Sequence, residues 1–152
     1  MTKAVVVLTR HWTGAAEAAM SEAFEARLNA ADDKLSVDDI VARCQGAVAL
    51  CPIPSDPIDA ELIARLPASV KIIAVFGAGT ENVDVKAAQA RGLVVSNTPG
   101  AVAEDTADVT IALMLATCRR LVHGDRELRA GRWQGSQVDD PLAGQRVWGK
   151  TL

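Results

Sequence analysis

The sequence predicts an α/β protein built on a doubly wound, all-parallel sheet, and three observations carry that reading. Short β-branched runs alternate with helical patterns over the first two thirds of the chain. The runs are apolar throughout, without the polar alternation of a strand that shows one face to water, so both faces of their sheet must be covered. Turns rich in Gly, Pro, Asn and Asp punctuate the runs, as strand-to-helix connections require.

In chain order, strands are expected at residues 4–8, 47–50, 71–75 and 93–96, with a less strongly β-branched one at 24–28. Helices are expected between them, at 14–23, 37–44, 59–66 and 85–91. Asp59 is placed to cap its helix, with Leu62, Ile63 and Leu66 on one face. Gly92 stops the helix that ends at Arg91.

The pattern changes after residue 102. From 103 to 130 the only strong breaker is Gly124, and Glu104, Asp105 and Asp108 suit the positive end of a helix. A continuous helix there would be roughly 40 Å long. Its first half, Val109 to Ala116, is apolar nearly all round, which needs cover on several sides. Residues 131–152, with Pro141, read as a linker or arm. The expected organisation is therefore a sheet domain over 1–101, a long helix over 102–130 and an arm over 131–152.

Composition narrows the function. The net charge is -3 with both signs interspersed, so no basic stripe points to nucleic acid. The longest apolar stretch, 109–118, is too short to span a bilayer. The N-terminal apolar run has a strand's composition and lacks a signal peptide's cleavage site. Three cysteines, Cys44, Cys51 and Cys118, form no CxxC pair and suggest reduced thiols in a cytoplasmic protein. His11 and His123 have no obvious Ser, Cys or carboxylate partner, and no cluster has metal-ligand spacing.

Three segments stand where an open α/β sheet binds ligands, at strand carboxyl ends. Gly77-Ala78-Gly79-Thr80 follows the third strong strand, and glycines there let backbone N–H groups approach an anion, or simply turn the chain tightly. It is not a dinucleotide fingerprint. The third glycine is replaced by Asn82, and the next strand ends in Ser96-Asn97 rather than an acid. Ser96-Asn97-Thr98-Pro99-Gly100 reads as a turn. Pro52-Ile53-Pro54-Ser55-Asp56-Pro57, stiffened by three prolines, is either one wall of a cleft or a rigid connector.

Together, GAGTENVD (77–84), RGLVVSNTPG (91–100), Thr106-Ala107-Asp108, the apolar helix and Gly131-Arg132-Trp133 resemble the D-2-hydroxyacid dehydrogenases, most closely their glyoxylate/hydroxypyruvate reductase branch. The resemblance is specific over 70–133, weaker over 2–70, and resumes at 148–152. It implies a flavodoxin-like fold for this half and a homodimer through the long helix. It implies a small 2-keto or 2-hydroxy acid as substrate, NAD or NADP as cofactor, and no nucleic-acid or membrane partner. It implies that the backbone of Gly77, Ala78 and Gly79 holds the substrate carboxylate, that Pro54 and Ser55 close the substrate side, and that Thr106 lies near the nicotinamide and its phosphate. The family's catalytic Arg, Glu and His would lie beyond Leu152, so no catalytic residue is assigned in this chain. The expectation is a substrate-binding half that is inactive alone, ending where the cofactor domain would begin; the alternative is a non-catalytic, self-associating fragment of the same family. A receiver domain is disfavoured, because Thr9-Arg10-His11 and Cys51 stand where acidic residues would be needed.

Overall fold

The computed structural model describes residues 2–136, 138–139 and 143–151. It divides into two compact units, Met1–Ala101 and Val102–Leu152.

The first unit is a five-stranded parallel sheet in the order β2-β1-β3-β4-β5. Its strands are β1 (Val5–Leu8), β2 (Glu25–Arg27), β3 (Ala49–Cys51), β4 (Ile72–Ala74) and β5 (Val94–Ser96). Four helices alternate with them: α1 (Gly14–Ala23), α2 (Val37–Arg43), α3 (Ala60–Arg65) and α4 (Val85–Ala90). All nine lie within the expected segments or one residue from them, and the strand order is the flavodoxin-like one.

The pleat divides the core in two. Successive strand residues point to opposite faces, so Val7, Leu50 and Ile73 pack with Ile40, Ile58, Leu62, Ile63 and Ala88 on one side. Val6, Leu8, Ala49 and Cys51 pack with Trp12, Ala16 and Met20 on the other. Every helix of this unit starts on a side-chain cap. Thr13, Asp59 and Asp84 each accept an N–H from their helix's first turn, and Ser36 forms a reciprocal capping box with Asp39. Gly92 has φ +71°, the left-handed geometry that ends α4 at little cost only for glycine.

The second unit departs from expectation. The continuous helix over 103–130 is instead α5 (Ala103–Cys118) and α6 (Leu121–Arg129), with Arg120 left-handed at φ 52° between them. The cause is a competing donor. In an unbroken helix the Cys118 carbonyl would accept the N–H four residues on; here it accepts the Gln145 N–H at 2.6 Å. Arg119 Nε donates to the Ala143 carbonyl at 3.1 Å. Gly144, at φ +65°, lies so close to the Cys118 carbonyl and the Arg119 backbone that a Cβ there would overlap both. Residues 143–145 therefore take over a carbonyl the helix would have used. No residue of α5 is buried, and Val109, Leu113, Val122 and Leu128 are each more than half exposed. Pro141 lies outside the described residues. Among the described residues no helix is long and apolar enough to cross a membrane.

Candidate functional site

All five strands are parallel, so their carboxyl ends open on one edge of the sheet. The exits of β3, β4 and β5 lie side by side there, because those strands are neighbours.

The β3 exit is held from within. Asp56, 5% exposed, accepts from Thr9 Oγ1 at 2.5 Å and from the Ile53 N–H at 3.3 Å. Phe76 N–H donates to the Pro52 carbonyl at 2.8 Å, tying the β4 exit to this loop. Asn82 completes the clamp. Its Nδ2 donates to the carbonyls of Ile53 at 3.1 Å and Asp56 at 2.8 Å, and its own carbonyl accepts from Ile58 N–H at 2.8 Å. Asn82 Oδ1 is buried and has no partner among the described residues. The position that fails the dinucleotide pattern is thus filled by a side chain that fastens two loops together.

Pro54 and Gly77 meet across this junction. A Cβ on Gly77 would lie 3.0 Å from Pro54 Cδ and closer still to Cγ, so glycine permits the approach. Gly79 is less constrained: a Cβ there would meet only the movable end of the Glu81 side chain, with Cδ 2.8 Å away. Ser55 is exposed and makes no hydrogen bond among the described residues.

The β5 exit fixes the glycine loop from the other side. Thr98 N–H donates to the Gly77 carbonyl at 2.9 Å. Asn97 Nδ2 donates to the Ala78 carbonyl at 2.7 Å. Among the described residues, the N–H groups from Gly77 to Asn82 carry no hydrogen bond. Loops with a run of free N–H groups form concavities that suit anions. The loop has no Lys or Arg of its own between Ile72 and Val85, so any anion would be met by neutral donors.

Several neighbours were invisible in the sequence. Trp12, 9% exposed, stacks on Phe76 with centroids 4.3 Å apart and planes 16° from parallel. Its indole Nε1 is buried without a partner among the described residues. His11 does have a carboxylate partner, contrary to expectation: its Nδ1 is 2.9 Å from Glu17 Oε1, six residues on across the α1 cap. Arg10 pairs with Asp32 at 2.8 Å, which holds that carboxyl well below its usual range, at about 2. Burial pushes the Cys44 thiol up to about 11 and the Cys51 thiol to about 12, so neither is a thiolate nucleophile. Thr106 belongs to the second unit. It is exposed on the first turns of α5, where its carbonyl accepts the Thr110 hydroxyl at 2.7 Å. Among the described residues no group of His, Cys, Asp and Glu could hold a metal ion.

Comparison with known proteins agrees with this architecture. The family description "D-isomer specific 2-hydroxyacid dehydrogenase, catalytic domain" matches residues 6–145. A glyoxylate reductase of Korarchaeum cryptofilum is 41% identical over 113 residues, which are 74% of this chain and 34% of that protein. A glycerate dehydrogenase of Hyphomicrobium methylovorum is 28% identical over the whole chain and 47% of its own length. An NADPH-dependent glyoxylate/hydroxypyruvate reductase of Sinorhizobium meliloti, solved with NADP and malonate, superposes with a TM-score of 0.80 at 28% identity. That match covers 99% of this chain and 45% of the reductase. The chain therefore spans about half the length of such relatives, or less.

Proposed function

Because this chain belongs to the D-isomer-specific 2-hydroxyacid dehydrogenase family, in its catalytic-domain part, we propose that it is the substrate-binding half of an NAD(P)-dependent oxidoreductase. The reaction is reduction of a small 2-keto acid, of the glyoxylate or hydroxypyruvate type, to the D-2-hydroxy acid. The observation that carries this reading is the glycine loop, whose open N–H groups from Gly77 to Asn82 stand beside the Pro54 wall at the sheet's carboxyl edge.

In this reading the Ala78 and Gly79 amides bind the substrate carboxylate, while Pro54 and Ser55 close the substrate side of the cleft. Thr106, in the second unit, is assigned to the nicotinamide and its phosphate, not to the acid. Bound NAD or NADP supplies the hydride; the other residues hold and orient the acid that receives it. The glycine loop is not the cofactor's pyrophosphate cradle, since Asn82 occupies the third position and is committed to Ile53 and Asp56. The 152 residues contain no GxGxxG, so turnover by this chain alone is not expected. The apolar side chains exposed on α5 and α6, among them Leu113 and Val122, favour self-association, which also fits a non-catalytic fragment of the family.

The test is a titration of the 15N-labelled chain with glyoxylate. Shifts concentrated at the Ala78 and Gly79 amides are expected, with a Kd of roughly millimolar or weaker, because each net hydrogen bond from a neutral donor contributes only about 1 kcal/mol. Shifts scattered over the surface, or none at this loop, overturn the assignment. NADH or NADPH oxidation above background by the purified chain would show the inactive reading to be wrong. A monomer mass by light scattering at micromolar concentration would remove self-association.

A further inference from the structure

The two amides assigned to the carboxylate are held in different ways. A trans peptide is planar, so the carbonyl of one residue and the N–H of the next point in opposite directions from one rigid plate. Anchoring the Gly77 carbonyl therefore aims the Ala78 N–H, and anchoring the Ala78 carbonyl aims the Gly79 N–H. The first anchor is backbone: Thr98 N–H, 2.9 Å from the Gly77 oxygen. The second is a side chain: Asn97 Nδ2, 2.7 Å from the Ala78 oxygen. No other donor reaches the Ala78 carbonyl among the described residues.

From this asymmetry we infer that Asn97 is a positioning residue for carboxylate binding, acting solely through the Ala78–Gly79 peptide. The inference rests on the carboxylate reading of the glycine loop. An acid would meet one amide fixed by the main chain and a second whose direction depends on a side chain at the β5 exit. Only a donor serves here, since an Asp at 97 would set a carboxylate against the Ala78 carbonyl.

The substitution is Asn97→Ala in the full 152-residue chain, with Asn97→Asp alongside. Asn97 is exposed, so both variants should keep the fold, which the dispersion of the 15N spectrum checks. Glyoxylate binding should weaken about fivefold, the equivalent of one net hydrogen bond. The bound-state shift at Gly79 should shrink while that at Ala78 persists. Without ligand, the heteronuclear NOE at Gly79 should fall in both variants and stay unchanged at Ala78. Asn97→Asp should bind no better than Asn97→Ala.

Unchanged affinity together with an unchanged Gly79 NOE refutes the inference and leaves the carboxylate reading intact. Equal losses at Ala78 and Gly79 refute it too, since they mean the whole loop has collapsed. If glyoxylate moves neither amide in the unsubstituted chain, the carboxylate reading has failed and this inference falls with it.

Discussion

Replacing Asn82 tests whether the two site loops are fastened as described, and the outcome depends on which atom is lost. In Asn82→Ala the donors to the Ile53 and Asp56 carbonyls disappear. Each is worth a net ~0.5–1.5 kcal/mol, so about 1–3 kcal/mol is lost. The same substitution also deletes Oδ1, which is buried and unpaired, and so removes a cost of about 1 kcal/mol already present in the native fold. The net destabilisation should be no more than about 2 kcal/mol, or a few degrees in Tm at most for a chain of this size. Asn82→Asp should be worse. It sets an acceptor against two carbonyl oxygens at 3.1 and 2.8 Å, close to the buried Asp56, and keeps the orphan. Its cost should exceed that of the alanine by about 1 kcal/mol or more, since a charge is stranded. Burial and repulsion would raise the new carboxyl's folded pKa, so the excess should be present at neutral pH and shrink as pH falls and the group protonates. Urea unfolding followed by tryptophan fluorescence is the assay. Trp12 is buried, whereas Trp133 and Trp148 are at least half exposed, so the change reports mainly the sheet unit. An Asn82→Asp chain as stable as the unsubstituted one at pH 7 would refute the clamp.

Three further outcomes follow from the same contacts. Gly77→Ala drives a Cβ into the Pro54 ring and should cost about 1–3 kcal/mol; Gly79→Ala meets only the movable end of Glu81 and should cost less, so the reverse ranking of urea midpoints would contradict the packing. In the native chain at pH 8, Cys44 and Cys51 should resist a thiol reagent that reacts with them after unfolding, because both are buried and pushed up to about 11 and 12; rapid labelling of all three cysteines would disprove this. Asp32 is depressed to about 2 by Arg10, so its stabilising contribution is present above its ordinary value of about 3.9 and fades as pH falls toward 2. Urea midpoints at pH 6 and pH 2.5 should therefore differ less in Asp32→Asn, and an unchanged difference would refute the linkage.

What the sequence disclosed and what it hid have one physical explanation. Periodicity and capping chemistry act over a few residues, so α1 to α4 and the five strands were legible, down to the Asp59 cap. The break between α5 and α6 was not, because it depends on Gln145 reaching a carbonyl 27 residues earlier. Asn82 looked like a failed glycine and is a clamp; its partners lie 26 and 29 residues away. Asn97 looked like turn punctuation, and its bond spans 19 residues. The Trp12–Phe76 stack joins the exits of strands that are not even neighbours in the sheet. At this edge, residues that resemble ordinary turn formers are recruited by distant loops, and no local pattern records it.

Glu81 supplies the last prediction. Its side chain lies over Gly79, with Oε1 2.9 Å from where a Cβ would stand, and it forms no ion pair or hydrogen bond among the described residues. A carboxylate at that place has two effects on an incoming acid. It occupies space above the Gly79 peptide, and it repels a second negative charge. An acid reaching the Gly79 N–H would meet both close by. The side chain is exposed and free to swing away, so the penalty is modest, of the order of an exposed charge interaction at ~0.2–1 kcal/mol. Glu81→Gln removes the repulsion and keeps the bulk, and Glu81→Ala removes both. Glyoxylate should therefore bind the glutamine variant more tightly, by up to about fivefold, and the alanine variant at least as tightly as that. The gain for the glutamine should shrink at high salt, because screening weakens only the electrostatic part. The titration that follows the Ala78 and Gly79 amides measures all three proteins. Weaker binding by both variants would mean that Glu81 helps to hold the acid, and the repulsion argument would be wrong.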